Sequence, residues 1–312
     1  MEKGKKKNLI WKVLFALCLA GVVISAVILI RDVARSRQQE QLLESLAAMT
    51  EDGQDSSGPS GPESEPAPVT ETPEPERTWE ELSLEEKNRK LEETFGIEIP
   101  EKEVNFEELQ EQVNPDIYAW LYIPDSTIDF PVLQHAEDNS YYLNYNIDGS
   151  KGRPGCIYTE NTNAKDFTDH NTVIYGHNMR NGTMFAGLHK FEDADYFAEN
   201  PYIYIYTPDE VFVYRIFGAY EFSNIHLLAG YETETEEGFG EYLEEVKAVR
   251  SMNSNFNPDV EVTEKDRILT LSTCVSGKAD KRWLVQGVLL RADAAADETD
   301  ASSGGAEEQD EN

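Results

Sequence analysis

The stretch "TLSTCVSGKADKRWLVQG", residues 270 to 287, carries a cysteine at the end of one strand-like run and an arginine at the start of the next. A histidine, His177, follows the strand-like "NTVIY" and a glycine in "YGHNMRNGTMF". Attack on an amide carbonyl needs a thiolate nucleophile, a group that protonates the leaving amine, and a positive donor for the oxyanion. Cys274, His177 and Arg282 supply those three in turn. If 267–274 and 283–290 are neighbouring strands, Cys274 and Arg282 meet across one end of a hairpin. Spacing alone leaves other readings open: His177 as a surface histidine in a turn, and Cys274 as a buried structural thiol.

The remaining polar chemistry is sparse. Of the five histidines, His135, His170, His177, His189 and His226, no pair has the i, i+4 spacing of a helical zinc site, and no Cys-x-x-Cys is present. No metal and no cofactor are expected. Cys18 falls in an apolar N-terminal run, and Cys156 lies in "PGCIYT", which reads as a short buried strand. A Cys156–Cys274 disulfide is the alternative in an oxidising compartment. A formal net charge of −33 argues against nucleic-acid binding, which needs basic surface to displace phosphate counterions.

The elements that must position these residues lie in the middle of the 312-residue chain. Residues 1–8 form a lysine-rich tail, and 9–30, "LIWKVLFALCLAGVVISAVILI", make a helix of roughly 33 Å, matching a hydrocarbon core of ~30 Å. Lys3, Lys5, Lys6 and Lys7 place the N-terminus in the cytoplasm and everything past the span outside. A cleaved signal peptide is the alternative, but the apolar run is long and no small-x-small site follows it. Residues 31–49 read as a polar helical stalk with Leu42, Leu43, Leu46 and Met49 at helical spacing. Residues 50–78, rich in Pro, Ser, Gly and Glu, read as a disordered extended linker. The tail 292–312 holds eight acidic residues and no basic ones, and reads as disordered and solvating.

Residues 79–291 read as one domain. It opens with a helix in "SLEEKNRKLEETFG", capped by Ser83 and stopped at Gly96, and a second from Phe106 to Val113. Eight strand-like runs separated by turn residues follow, so the class is mainly β, a barrel or a sandwich. One helix, at 236–252, is inserted before the last two strands, with Phe239, Tyr242, Leu243, Val246 and Val249 on one face.

Together these motifs resemble the sortases. "TLSTC" is similar to the family's TLxTC signature, "YGHNM" to the histidine motif of its class B members, and "RWLV" to the arginine that begins its last strand. The resemblance covers about residues 80 to 291. It implies a closed eight-stranded β-barrel with N-terminal helices, on a single transmembrane anchor in the membrane of a Gram-positive cell. It implies a transpeptidase of the thiol-peptidase class that cleaves a C-terminal sorting signal of exported surface proteins. The acyl group would pass through a thioacyl-enzyme to an amine of a peptidoglycan precursor or a pilin. Carried over by motif, Cys274 is the nucleophile, His177 the general acid/base and Arg282 the oxyanion and substrate donor. Ser272, on the same strand face as Cys274, and Asn139, in "DNSYYLN", would bind substrate in the groove.

One departure concerns the loop after the thiol. Some relatives carry an acidic residue there, whereas Val275 and Ser276 follow Cys274, so no carboxylate partner for His177 is evident. Asp280 reads as a solvated turn residue. Because Cys274 ends a strand, with Arg282 the one cation its motif offers, the expectation is a minority thiolate–imidazolium population and slow turnover. The rival readings are an extracytoplasmic cysteine protease that hydrolyses peptides and a non-enzymatic surface-anchored binding module.

Overall fold

The structure, a computed structural model, describes residues 2–50 and 77–292. Most of the expected linker and of the acidic tail therefore lies outside the described residues. Helix α1, Glu2–Met49, runs without a break from the basic tail through the apolar segment. Helices α2, Leu84–Phe95, and α3, Phe106–Gln112, precede the sheet. Ser83 caps α2 by accepting from the Glu86 amide, and Gly96 ends it with a left-handed φ of 63°.

Nine strands follow among the described residues. β1 is Ile117–Tyr122 and β2 Asp129–Leu133; after the short helix α4, Tyr141–Asn144, come β3, Ile157–Thr159, and β4, Asn171–Tyr175. A 3-10 segment, Phe185–Glu192, and helix α5, Ala194–Glu199, lead to β5, Tyr202–Tyr206, and β6, Val211–Ser223. Helices α6, Leu227–Gly230, and α7, Glu236–Ala248, then precede β7, Asn255–Phe256, β8, Ile268–Val275, and β9, Lys278–Leu289. The order β5-β1-β2-β3-β4-β8-β9-β6, closed by pairing of β6 with β5, makes an eight-stranded barrel, and β7 flanks β6. All eight strand-like runs are strands. The two-residue β7 is too short for a periodic signal.

Two neighbour relations decide where the chemistry sits. β4 and β8 run parallel in a register that sets Tyr175 beside Ser272, and β8 and β9 run antiparallel with Cys274 opposite Arg282. The residues that leave β4 and β8 therefore emerge at the same rim as the start of β9's paired segment. The inserted helix α7 buries Phe239, Tyr242, Leu243 and Val246 against the barrel wall, with Val249 only partly buried just beyond its last turn.

The end of α1 corrects one expectation. Among the described residues α1 is the one helix long and apolar enough to cross a membrane, and its apolar window is not buried in the domain. Its last turns are not a free stalk, however. Leu43 and Leu46 join the barrel's core cluster, while Met49 stays exposed. The Gln39 amide donates to Asp148 at 2.7 Å, Asn181 donates to Glu40 at 2.8 Å, and Lys102 donates to the Thr50 hydroxyl at 2.6 Å. Thr50, expected to open the linker, is buried instead. Burying two leucines contributes about 1.5–3 kcal/mol each, enough to hold a helix that would otherwise be marginal.

Candidate active site

Cys274 lies at the exposed end of β8, and its thiol is free. The segment after it departs from the expected loop. Val275 pairs directly with Lys278 around Ser276 and Gly277, the glycine at φ 79°, so the connection is a tight hairpin turn. The register then shifts between Cys274 and Val275, leaving Ala279, Asp280 and Lys281 as a bulge on β9. That bulge is what carries Arg282 to the position opposite the thiol. The Arg282 guanidinium donates to the backbone carbonyls of Lys281 at 2.9 Å and Ala279 at 3.4 Å, so the bulge also holds the side chain.

His177 follows β4 by one glycine. Gly176 is not in a left-handed conformation; its role is to leave room, since a Cβ there would come within 2.5 Å of Ile157 and 2.7 Å of Phe185. Two bonds lock this corner to the cysteine strand. The Gly176 amide donates to Ser272 O at 3.2 Å, and the buried Thr273 hydroxyl donates to Gly176 O at 2.8 Å. The Phe185 amide donates to His177 O at 3.0 Å and closes the loop beyond.

The partner of His177 is a backbone carbonyl. Its Nε2 lies 2.8 Å from Leu143 O, so Nε2 carries the proton and donates, and Nδ1 is the nitrogen left to exchange one. Burial pushes the imidazole's pKa below its ordinary value of 6.5, and the nearby Arg153 cation pushes the same way, while the Leu143 bond opposes both. The shift favours the uncharged ring.

A groove of about 580 Å³ joins His177, Cys274, Arg282, Ser272 and Asn139. Ser272 is buried in its wall. Asn139 sits on the rim, where its Oδ1 accepts from the Asn161 amide at 2.8 Å. Cys156 is buried just before β3, its thiol donating to Tyr145 O at 3.6 Å and its pKa pushed up by burial, and it forms no disulfide. Among the described residues no group of His, Cys, Asp and Glu is arranged to hold a metal ion.

Several groove features carry no sequence signature. His226 Nδ1 accepts from the Ala229 amide, so Nε2 donates to the buried Glu160 carboxylate at 2.7 Å. Tyr175 lines the same groove, and its buried hydroxyl has no hydrogen-bond partner among the described residues. Behind the hairpin, His189 and Asn178 both reach the Cys274 carbonyl, at 3.1 and 2.8 Å. His226 is tied to Glu160 and His189 to the Cys274 carbonyl across long stretches of chain, whereas the His189–Glu192 pair is local, at i, i+3.

A closed barrel with a free thiol, an imidazole and a guanidinium at one rim is the frame of a cysteine acyl-transfer enzyme. The family model of the sortase domain matches residues 121–290. Sortase B of Listeria monocytogenes is 37% identical over 182 residues, which cover 58% of this chain and 72% of the relative. The crystal structure of Clostridium perfringens sortase B superposes with a TM-score of 0.53 at 32% identity, covering 59% of this chain and 99% of that one. The Staphylococcus aureus sortase B–substrate complex does so with a TM-score of 0.52 at 27% identity, covering 67% and 94%. The chain belongs to the sortase family, alongside its class B members, and is by that membership a cysteine transpeptidase.

Proposed function

We propose that the chain cleaves the C-terminal sorting signal of exported surface proteins and passes the acyl group to an amine of a peptidoglycan precursor or pilin. The observation that carries this reading is the meeting of Cys274, Arg282 and His177 at one rim through the registers of β8 with β9 and β4. The Cys274 thiolate attacks the scissile carbonyl, and the oxyanion forms beside the Arg282 guanidinium. Collapse breaks the C–N bond, and the departing amine takes a proton from His177 Nδ1, leaving a thioacyl-enzyme. The incoming amine returns a proton to His177, attacks the thioester and releases the thiolate, so the net result is one amide exchanged for another. Ser272 and Asn139 line the path of the signal peptide. No metal or cofactor takes part, and nucleic acid is not a partner.

The same proposal covers the chain's placement. Residues 1–8 lie in the cytoplasm, 9–30 span the membrane once, and 31–49 continue as helix. Residues 51–78 form the linker, Thr50 belonging to the docked end of the helix, 79–291 the extracytoplasmic catalytic domain and 292–312 the acidic tail. The lysines before α1's apolar run support this orientation.

The test is a panel of quenched fluorescent sorting-signal peptides offered to the full-length chain in detergent micelles, with and without an amine acceptor. Cleavage of at least one member, with amide product outweighing acid when the amine is present, and loss of both in Cys274→Ala, is the expected outcome. No cleavage of any member while Cys274 stays reduced would sink the reading, and acid product alone would favour hydrolysis.

A further inference from the structure

The carbonyl of Cys274 points away from the groove into a second polar cluster. Asn178 Nδ2 donates to it at 2.8 Å and lies 3.3 Å from the Ser276 hydroxyl and 3.0 Å from His189 Nε2. His189 Nε2 is itself 3.1 Å from the same carbonyl. On the other side of the ring, Nδ1 meets Glu192 Oε1 at 2.7 Å, and Glu192 Oε2 accepts from Asn253 at 3.0 Å. The ring stacks on Trp283, centroids 5.7 Å apart, and the Trp283 indole donates to Leu188 O at 2.9 Å. Trp283 is the residue after Arg282 and the register partner of Thr273. The imidazole is thus wedged between the 3-10 segment and the hairpin that carries both Cys274 and Arg282.

The protonation chemistry of this cluster is determined by its acceptors. A carboxylate only accepts, so Nδ1 carries a proton in either state. In the neutral ring Nε2 is a lone pair: it accepts from Asn178 but confronts the lone pairs of Cys274 O. The ring therefore acts on the nucleophile's backbone through Asn178, whose amide it orients toward Cys274 O. The groups facing the ring are Glu192 from its own segment and Cys274 from the hairpin. Lys278, whose pKa is raised chiefly by its bond to Glu221 and in smaller part by Glu192, lies nearby, and Asn178 and Asn253, from the other two elements, are neutral.

We propose that His189, oriented by Glu192 and Trp283 and coupled to the Cys274 carbonyl through Asn178, the residue after His177, is a positioning residue that fixes Cys274 from behind. Asn178 joins the two sides: its backbone directly follows the groove histidine, and its side chain bonds the cysteine's carbonyl. Misplacing a nucleophile by a fraction of an ångström is costly, because rate depends on the reacting atoms being held in line. The inference rests on Cys274 being the nucleophile of the proposed reaction.

The test uses the full-length chain in micelles with Cys18→Ser, which leaves Cys274 as the exposed thiol. His189→Ala, His189→Gln and Asn178→Ala are compared by kcat, KM, thermal midpoint and the pH dependence of iodoacetamide alkylation of Cys274. Expected in His189→Ala are a kcat lower by about tenfold, the rate equivalent of one net hydrogen bond, a KM little changed, and an altered alkylation profile. His189→Gln, whose amide oxygen can accept from Asn178, restores most of kcat. An unchanged kcat in His189→Ala would overturn the proposal. So would a loss that follows the thermal midpoint in all three variants with an unaltered alkylation profile. Alkylation reports on Cys274 whether or not any sorting signal is cleaved, so failure of the proposed function is read separately from failure of the positioning role.

Discussion

Tyr175 and Ser272 are register partners on the parallel strands β4 and β8, and each stands two residues before a site residue, His177 and Cys274. Because parallel strands advance together, equal offsets from one pairing deliver the imidazole and the thiol to the same level of the rim. The antiparallel β8–β9 pair then brings Arg282 back to that level. The site is thus a consequence of three adjacent strands and their registers.

The tie between those strands is testable at Thr273. Thr273→Val keeps the shape but leaves the Gly176 carbonyl without its buried donor, 2.8 Å away in the wild type. A loss of about 1–3 kcal/mol in urea denaturation is expected, with a lower kcat/KM from a loosened His177 corner. Unaltered stability would show that another group satisfies that carbonyl.

Gly176→Ala probes space at the same corner. Its new Cβ would meet Ile157 and Phe185 at 2.5 and 2.7 Å, and both belong to the barrel's buried core. Overpacking of this kind costs about 1–3 kcal/mol, so the thermal midpoint should drop and kcat with it. A variant as active and as stable as wild type would contradict the close packing.

The pH dependence follows from the direction of the His177 shift. With its pKa held below 6.5, the acid limb of kcat/KM should fall below that value. Arg153→Gln removes a cation that opposes protonation, so the limb should move up toward 6.5. The stability sign runs the same way: the unfolded chain binds the proton more readily, so His177's contribution is present above 6.5 and is lost as pH falls through that value toward the folded pKa. An acid limb that stays put in Arg153→Gln would rule out this electrostatic contribution.

Arg282→Lys keeps the charge but not the planar fork of donors. If Arg282 serves the oxyanion, kcat should fall by roughly 10²–10³ with KM little altered, the pattern of an interaction made in the transition state. A rise in KM at constant kcat would assign Arg282 to ground-state binding alone.

Docking of α1 makes a prediction about the whole chain. Leu46→Asp buries a carboxylate in the barrel core cluster, and Glu40→Ala releases Asn181 in the loop beyond His177. Detachment of the helix end should lower the thermal midpoint in Leu46→Asp and increase proteolysis near residue 50. Glu40→Ala should cost less than about 1 kcal/mol, as exposed polar contacts do. Protease resistance unchanged in Leu46→Asp would mean that the helix end is held by its polar bonds.

Much of this was legible in the chain. Helix α2 announces itself through Ser83 and Gly96, the strands through apolar runs between turn residues, and the reactive groups through residue types uncommon at strand ends. What was not legible is equally specific. The hairpin after Cys274 read as a seven-residue loop because "VSGKADK" is polar, yet it is a tight turn followed by a bulge. The partner of His177 is invisible in the sequence because it is a backbone carbonyl, which has no identifying side chain. The end of α1 read as a stalk because Leu43 and Leu46 show helical spacing, not what they pack against.

The distinction is one of range. Residue type, capping and periodicity are local properties, so the linear chain already specified a thiol, an imidazole and a guanidinium on a β-rich domain behind an apolar helix. Register, barrel closure and the docking of α1 join residues far apart in sequence, and they depend on which of many non-local pairings buries the apolar faces best. Those pairings put His177 on Leu143, Arg282 opposite Cys274, and His189 behind the thiol.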